Sequence, residues 1–303
     1  MTPDQMAAQT EDQPTVIFLH IGKTGGMTLR TILHRHFPSS QVLVVRTADR
    51  EPSRLRLRRE ASLTHFASLP ESTRREARLI EGHTIFGLHE FIPRPSTYIT
   101  LLRDPVSLIV SQYHFVSRRP RHWLHNEVAT DEMTLDAYVR SGISLETDNS
   151  QTRALSGDTS TPFGECSKEM LEVAKSNVRG HFAVAGLTER FDETLLLLRR
   201  TFGWSKLWYV QANVAPREDR REPVAADTLR WLEQQNRFDM ELYRWASGRF
   251  EAAIASTPMV DEELETLRRT NALYRPVGRI VHTIPGRVKA RWRARGRKGP
   301  TGS

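Results

Sequence analysis

Residues 15–29, Thr-Val-Ile-Phe-Leu-His-Ile-Gly-Lys-Thr-Gly-Gly-Met-Thr-Leu, constrain the fold of this chain more than any other stretch. An apolar run rich in β-branched residues ends at a glycine-flanked lysine. An amphipathic helix pattern follows at once, with Leu29, Ile32, Leu33 and Phe37 on one stripe. A strand, a tight loop and a helix in that order aim bare backbone N–H groups and a helix N-terminus at a phosphate or sulfate. Gly22-Lys23-Thr24 matches the close of a Walker A loop, but Ile17 stands where that motif has its leading glycine. The pattern points to a phosphate-bearing nucleotide held without the usual Mg²⁺-dependent grip on ATP or GTP.

The rest of the chain alternates strand and helix signals. Strands are expected at Gln41–Val45, Leu79–Gly82, Thr97–Leu102 and Phe182–Leu187, with a further candidate at Leu207–Val210. Asp104 reads as a helix N-cap and Pro105 as the first helical residue, and Val106, Ile109, Val110 and Tyr113 continue the stripe. Arg54–Arg78 is arginine-rich and helix-prone. Further helices are expected at 132–141, 148–156, 167–178, 189–201, 225–234 and 237–256. Such alternation implies an α/β fold, a single domain with a mostly parallel central sheet flanked by helices around a P-loop-like nucleotide-binding core. No internal repeat or linker divides it. The domain is expected over 15–274, with a loose, polar N-terminal segment at 1–14 and a basic, disordered tail at 275–303.

That tail carries the charge. The chain has a formal net charge of +8, yet residues 275–303 hold nine Lys/Arg and no Asp/Glu. The remaining 35 basic residues face 36 acidic ones, so the body is close to neutral. This argues against a nucleic-acid-binding surface on the domain itself, while Trp292 among arginines leaves weak contact with an anionic membrane surface as a role for the tail. No apolar run approaches the roughly 18–20 residues of a membrane span. The lone Cys166 excludes an internal disulfide and a cysteine-built metal site. A reducing, cytoplasmic location is expected on these grounds, and no metal is implied. Oligomeric state is not legible.

Four stretches, in order and spacing, resemble the PAPS-dependent carbohydrate sulfotransferases, in particular the branch related to heparan sulfate 2-O-sulfotransferase. His20-Ile21-Gly22-Lys23-Thr24-Gly25-Gly26-Met27-Thr28-Leu29 is similar to that family's 5′-phosphosulfate loop. Leu102-Arg103-Asp104-Pro105-Val106 through Ser111-Gln112-Tyr113 is similar to its 3′-phosphate motif. Glu81-Gly82-His83-Thr84-Ile85-Phe86-Gly87-Leu88-His89 and the stretch from Asn177 through Gly186-Leu187-Thr188-Glu189-Arg190-Phe191-Asp192 also match. With Asn149 to Arg153, the resemblance covers most of residues 15–250. It implies PAPS (3′-phosphoadenylyl sulfate) as co-substrate and a hydroxyl of a carbohydrate or glycolipid as acceptor. Relatives of this kind are anchored in the Golgi by an N-terminal membrane helix.

The chemistry fits those residue types. A lysine beside the bridging oxygen of the leaving phosphate stabilises charge that develops during in-line transfer, which suits Lys23. The backbone of Thr24, Gly25, Gly26, Met27 and Thr28, with the Thr24 and Thr28 hydroxyls, is expected to hold the phosphosulfate. Met27 departs from the Thr or Ser of most relatives and removes one hydroxyl. Arg103 and Ser111 are implied for the 3′-phosphate, where a forked guanidinium suits the anion. The resemblance puts the general base at His83, with His89 as rival and Glu81 as a carboxylate substitute; histidine suits proton uptake near neutral pH. His20 reads as a packed, hydrogen-bonded core residue of the first strand. Gln151 and Arg153 face either the acceptor or solvent. Arg118, Arg119, Arg121 and His122 hint at an anionic acceptor. The arginines of Asn213–Arg221 sit in a loop able to close over the nucleotide. Two other classes compete: an ATP-dependent P-loop-like kinase, and a non-catalytic protein that binds nucleic acid or membrane through its tail.

Overall fold

The computed structural model describes residues 13–45, 55–130, 132–158, 160–210 and 223–283. The expected loose N-terminal segment before Gln13, the tail beyond Thr283 with Trp292, and Arg217, Arg220 and Arg221 lie outside the described residues.

The chain begins with β1 (Thr15–Leu19) and α1 (Gly26–Leu33), then β2 (Val42–Val44), α2 (Leu55–Ser68), α3 (Glu71–Glu76) and β3 (Leu79–Gly82). It continues through β4 (Ser96–Leu102), α4 (Pro105–Ser117), α5 (Leu135–Arg140), α6 (Ser150–Ser156), α7 (Lys168–His181) and β5 (Phe182–Leu187). Four helices close it: α8 (Phe191–Phe202), α9 (Ala226–Gln235), α10 (Arg237–Ala255) and α11 (Val260–Thr283). The strands form one sheet in the order β2-β3-β1-β4-β5, and every neighbouring pair is parallel.

Strand β1 is central and wholly buried, so both of its faces need cover. Val16 and Phe18 join Leu29, Ile32 and Leu33 of α1, Leu195 and Leu198 of α8, and Leu264 and Leu267 of α11. Ile17 and Leu19 face the opposite cluster with Leu108 and Ile109 of α4, Leu155 of α6, Leu171 of α7 and Leu242 of α10. Each such side chain contributes roughly 1.5–3 kcal/mol by leaving water. Asp104 caps α4 as expected, its Oδ1 accepting from Ser107 N–H at 2.8 Å, with Pro105 at the first turn.

Two elements differ from the sequence-based expectation. Leu207–Val210 is not a strand. Leu207 packs into the α8 side of the core, and the Trp208 ring stacks on Tyr274 of α11 at 4.4 Å. Its apolar residues are satisfied by helices rather than by strand pairing. Helix α11 itself was not anticipated, and it continues past position 275 to Thr283.

The chain leaves β1 toward β2 and β3 on one side and leaves β4 toward β5 on the other. The crevice outside the carboxyl ends of β1 and β4 is therefore a topological switch point, where open parallel sheets bind ligands. Lys23 follows β1 and Arg103 follows β4.

Candidate active site

The loop after β1 turns on two left-handed residues. Lys23 has φ 64°, a conformation that strains a non-glycine residue, and Gly25 has φ 79° as the N-cap of α1. The Thr24 hydroxyl is fully buried and donates to the Ile21 carbonyl at 2.9 Å. In this arrangement its single hydrogen braces the loop. The Thr28 N–H donates to the Gly25 carbonyl at 3.0 Å, within the first helical turn. Met27 is 43% exposed, and its carbonyl accepts from Thr31 Oγ1 at 3.0 Å.

The second basic residue meets this loop. Arg103 donates from its guanidinium to the Lys23 carbonyl at 2.8 Å. Thr188, just past β5, donates to the Thr24 carbonyl at 2.7 Å and lies 2.9 Å from the Leu102 carbonyl. Three strand ends are thus tied at one point. The Lys23 ammonium lies 4.0 Å from the centroid of the Phe115 ring on α4. Phe115 is one turn after Ser111, so Ser111 shares the helix face turned toward Lys23. Burial first, then the charges of Arg103, Arg118 and Arg119, pull the Lys23 amine down to about 8 against a smaller opposing effect of Glu146. Arg103 is also desolvated, and Glu189 and Asp104 partly offset this.

Across the loop, β3 delivers His83. Its Nδ1 lies 3.0 Å from the His20 carbonyl, and the two imidazoles stack with centroids 4.2 Å apart. The other two candidates for the base are engaged elsewhere. Glu81 is 2% exposed, and its Oε1 accepts from Arg30 Nε at 2.7 Å and lies 2.9 Å from His34 Nε2. The His89 Nδ1 lies 3.1 Å from the Tyr98 hydroxyl, within a cluster of Phe86, His181 and Tyr98 rings. Tyr98 pairs in register with Ile17, early in β4, so His89 belongs to the lower half of the sheet.

Gln151 and Arg153 neither face the cleft nor sit on a helix surface; both are 1% exposed. Gln151 accepts from Arg103 N–H at 3.0 Å and donates to the Arg103 carbonyl at 2.9 Å, clamping the arginine's main chain. Arg153 is ion-paired with Asp148 at 2.5 Å and donates to the Thr161 and Pro162 carbonyls. Arg118 and Arg119 remain exposed beside Phe115, with the Arg119 guanidinium 5.2 Å from its ring centroid. Thr188, Phe115 and the Gln151 clamp are further parts of the site that the sequence did not single out. Thr188 lay inside a matching motif and Phe115 at helical spacing from Ser111, but the clamp left no local signal. Among the described residues, no group of three or more His, Cys, Asp or Glu side chains is placed to hold a metal ion.

A parallel sheet with a glycine-rich loop and clustered cations at its carboxyl edge defines the class of P-loop-like nucleotide-dependent transferases. A sequence profile of the galactose-3-O-sulfotransferase family matches residues 2–277, and the chain belongs to that family of carbohydrate sulfotransferases. It is 30% identical over 280 residues to heparan-sulfate 6-O-sulfotransferase 1 of Cricetulus griseus, covering 78% of this chain and 67% of the relative. The human enzyme of that name gives 30% identity, covering 78% of this chain and 65% of the relative. Human galactose-3-O-sulfotransferase 3 is 25% identical, covering 84% of this chain and 61% of the relative. The match spans about two thirds of these relatives' length.

The carbohydrate sulfotransferase family holds, while the finer placement beside the 2-O branch gains no specific support from these 6-O and 3-O relatives. The cytoplasmic expectation is corrected. The relatives are heparan-sulfate and galactose sulfotransferases, enzymes of the kind the resemblance places in the Golgi. Among the described residues no helix is long and apolar enough to cross a membrane, which by itself assigns no compartment.

Proposed function

We propose that this protein transfers a sulfuryl group from PAPS to a hydroxyl of a glycan, with the donor lying across the switch point between β1 and β4. The observation that carries this reading is the 2.8 Å hydrogen bond from Arg103 to the Lys23 carbonyl, which brings the two anion-binding stretches into one cleft. The cation cluster fits a polyanion: Arg103, Arg118 and Arg119 lie close enough to depress the Lys23 amine, with Glu146 opposing them. A donor with a 3′-phosphate and a 5′-phosphosulfate supplies the matching charges.

In this reading Lys23 and the backbone N–H groups around Gly25 and Gly26 hold the phosphosulfate, while Arg103 and Ser111 hold the 3′-phosphate. Thr28 adds its hydroxyl, and Met27 contributes backbone only. As the acceptor oxygen bonds to sulfur, the bond from sulfur to the phosphate oxygen breaks. The acceptor proton passes to His83, and Lys23 stabilises the charge left on the phosphate. The glycan is of the kind named for the relatives, a heparan-type or galactose-bearing chain, and the exposed Arg118 and Arg119 favour an anionic one.

Thermal stabilisation by PAP, compared with ATP and ADP, tests the donor site. A ligand that binds only the folded state at 100 times its Kd adds about 2.7 kcal/mol, so PAP is expected to raise the melting point well above either adenosine di- or triphosphate. Preference for ATP overturns the assignment. His83→Ala should keep PAP binding and abolish transfer to desulfated heparan sulfate or a galactoside; retained transfer removes His83 from the role of base.

A further inference from the structure

His20 takes no part in the steps above, yet it touches both halves of the site. Its main-chain carbonyl lies 3.0 Å from His83 Nδ1. A carbonyl oxygen can only accept, so Nδ1 carries the hydrogen and the neutral His83 ring keeps its lone pair on Nε2. The His20 imidazole lies against the His83 ring with an interplanar angle of 27°, backed by the Phe18 ring at 5.2 Å. Its other edge occupies the space beside Gly26, where a Cβ would come within 2.1 Å of Cδ2 and Nε2. The first residue of α1 is glycine because this ring stands against it.

The ring is also uncharged. Burial first, then the charges of His83 and Arg30, push the His20 imidazole down to about 2. Arg30 in turn is paired with Glu81, which also meets His34. A neutral ring beneath His83 sets no second cation against the imidazolium that forms when His83 takes a proton.

We infer that His20 is a positioning residue for the transfer: its carbonyl selects the His83 tautomer, and its ring wedges His83 at a fixed place beside the N-terminus of α1. This rests on the reading of His83 as the base. It makes the donor loop and the base one rigid unit, because a single buried side chain packs against both.

The test uses the full chain. With ¹⁵N-labelled histidine, the neutral form of His83 is expected to show a protonated Nδ1 in the NMR spectrum; a protonated Nε2 overturns the inference. In transfer from PAPS to desulfated heparan sulfate or a galactoside, His20→Ala is expected to lower kcat about tenfold or more, since small misplacements of a reacting group carry such losses. The KM for PAPS should stay within about threefold, and the acid limb of the kcat/KM profile should move. His20→Phe, which keeps a ring face beneath His83, should recover most of kcat and the profile. Unchanged kinetics in His20→Ala, or equal losses of kcat and PAP affinity in both variants, overturn it. His83→Ala separates the two readings: if it retains transfer the base assignment fails, while the tautomer in the wild-type spectrum still decides whether His20 orients the ring. Should His20→Ala fail to fold, His20→Phe and that spectrum carry the test.

Discussion

Lys23 combines two unfavourable features, a left-handed backbone and an amine desolvated beside other cations. Its backbone sits at φ 64°, which costs of order 1–3 kcal/mol for a non-glycine residue. Its amine, pulled down to about 8 by burial and by neighbouring arginines, is held among like charges. In the unfolded chain the amine keeps its ordinary value, so between pH 8 and 10.5 the folded protein binds fewer protons and gains stability as pH rises. Donor binding follows the opposite sign, because an anion favours the charged amine. PAP affinity is expected to be flat below about pH 8 and to fall by up to about tenfold per pH unit above it, with proton uptake on binding. Calorimetry in buffers of different ionisation enthalpy measures both. Affinity that stays constant to pH 10 removes Lys23 from the anion site. At this same scale, the choice between His83 and His89 was not legible in sequence, since both lie in one matching motif. The structure sets the two rings apart by their partners, the His20 carbonyl for His83 and the Tyr98 hydroxyl for His89.

Helices α6 and α10 cap each other, and that exchange holds Arg103 in place. Asp239 of α10 accepts from Gln151 and Thr152 N–H at 3.0 and 2.7 Å, and Asn149 Oδ1 accepts from Phe238 and Asp239 N–H at 3.1 Å each. Gln151, so fixed, clamps the Arg103 main chain. Despite its two backbone donors, burial pushes the Asp239 carboxyl from its ordinary 3.8 up to about 6. The folded state therefore holds a proton that the unfolded chain gives up between these values. This group's contribution to stability is fullest below pH 3.8 and declines as pH rises through 6. Relative to Asp239→Asn, the wild-type protein is expected to lose stability from pH 4 to pH 6.5, read as the difference in urea midpoints; a constant difference refutes the shift. Sequence left Gln151 facing either the acceptor or solvent because its partners stand far off along the chain. Asp239 lies 88 positions from Gln151, and no window of helical periodicity reaches that distance.

For the molecule as a whole, the excess positive charge falls at the C-terminal end of the sequence. Helix α11 buries Leu264 and Leu267 against α8, whereas the last basic residues lie past its end. Truncation after Thr283 is expected to leave transfer and melting temperature unchanged. Truncation before Val260 also strips two buried leucines, each worth about 2–5 kcal/mol in a core, and should lower the melting point steeply. Turnover lost with the tail alone would instead favour a tail-driven function. The sequence alone determined the sheet, the strand–loop–helix unit at 15–33, the Asp104 cap and the family motifs. Each of these depends on residues a few positions apart, where periodicity and turn chemistry act. Only the tertiary structure decided that Arg103 meets the Lys23 turn, that Thr24 braces its own loop, that Leu207–Val210 packs on helices, and that His20 lies beneath His83. Arg103 and Lys23 stand 80 positions apart and His20 and His83 stand 63 apart, and their meeting follows from strand order and burial, which no local pattern carries.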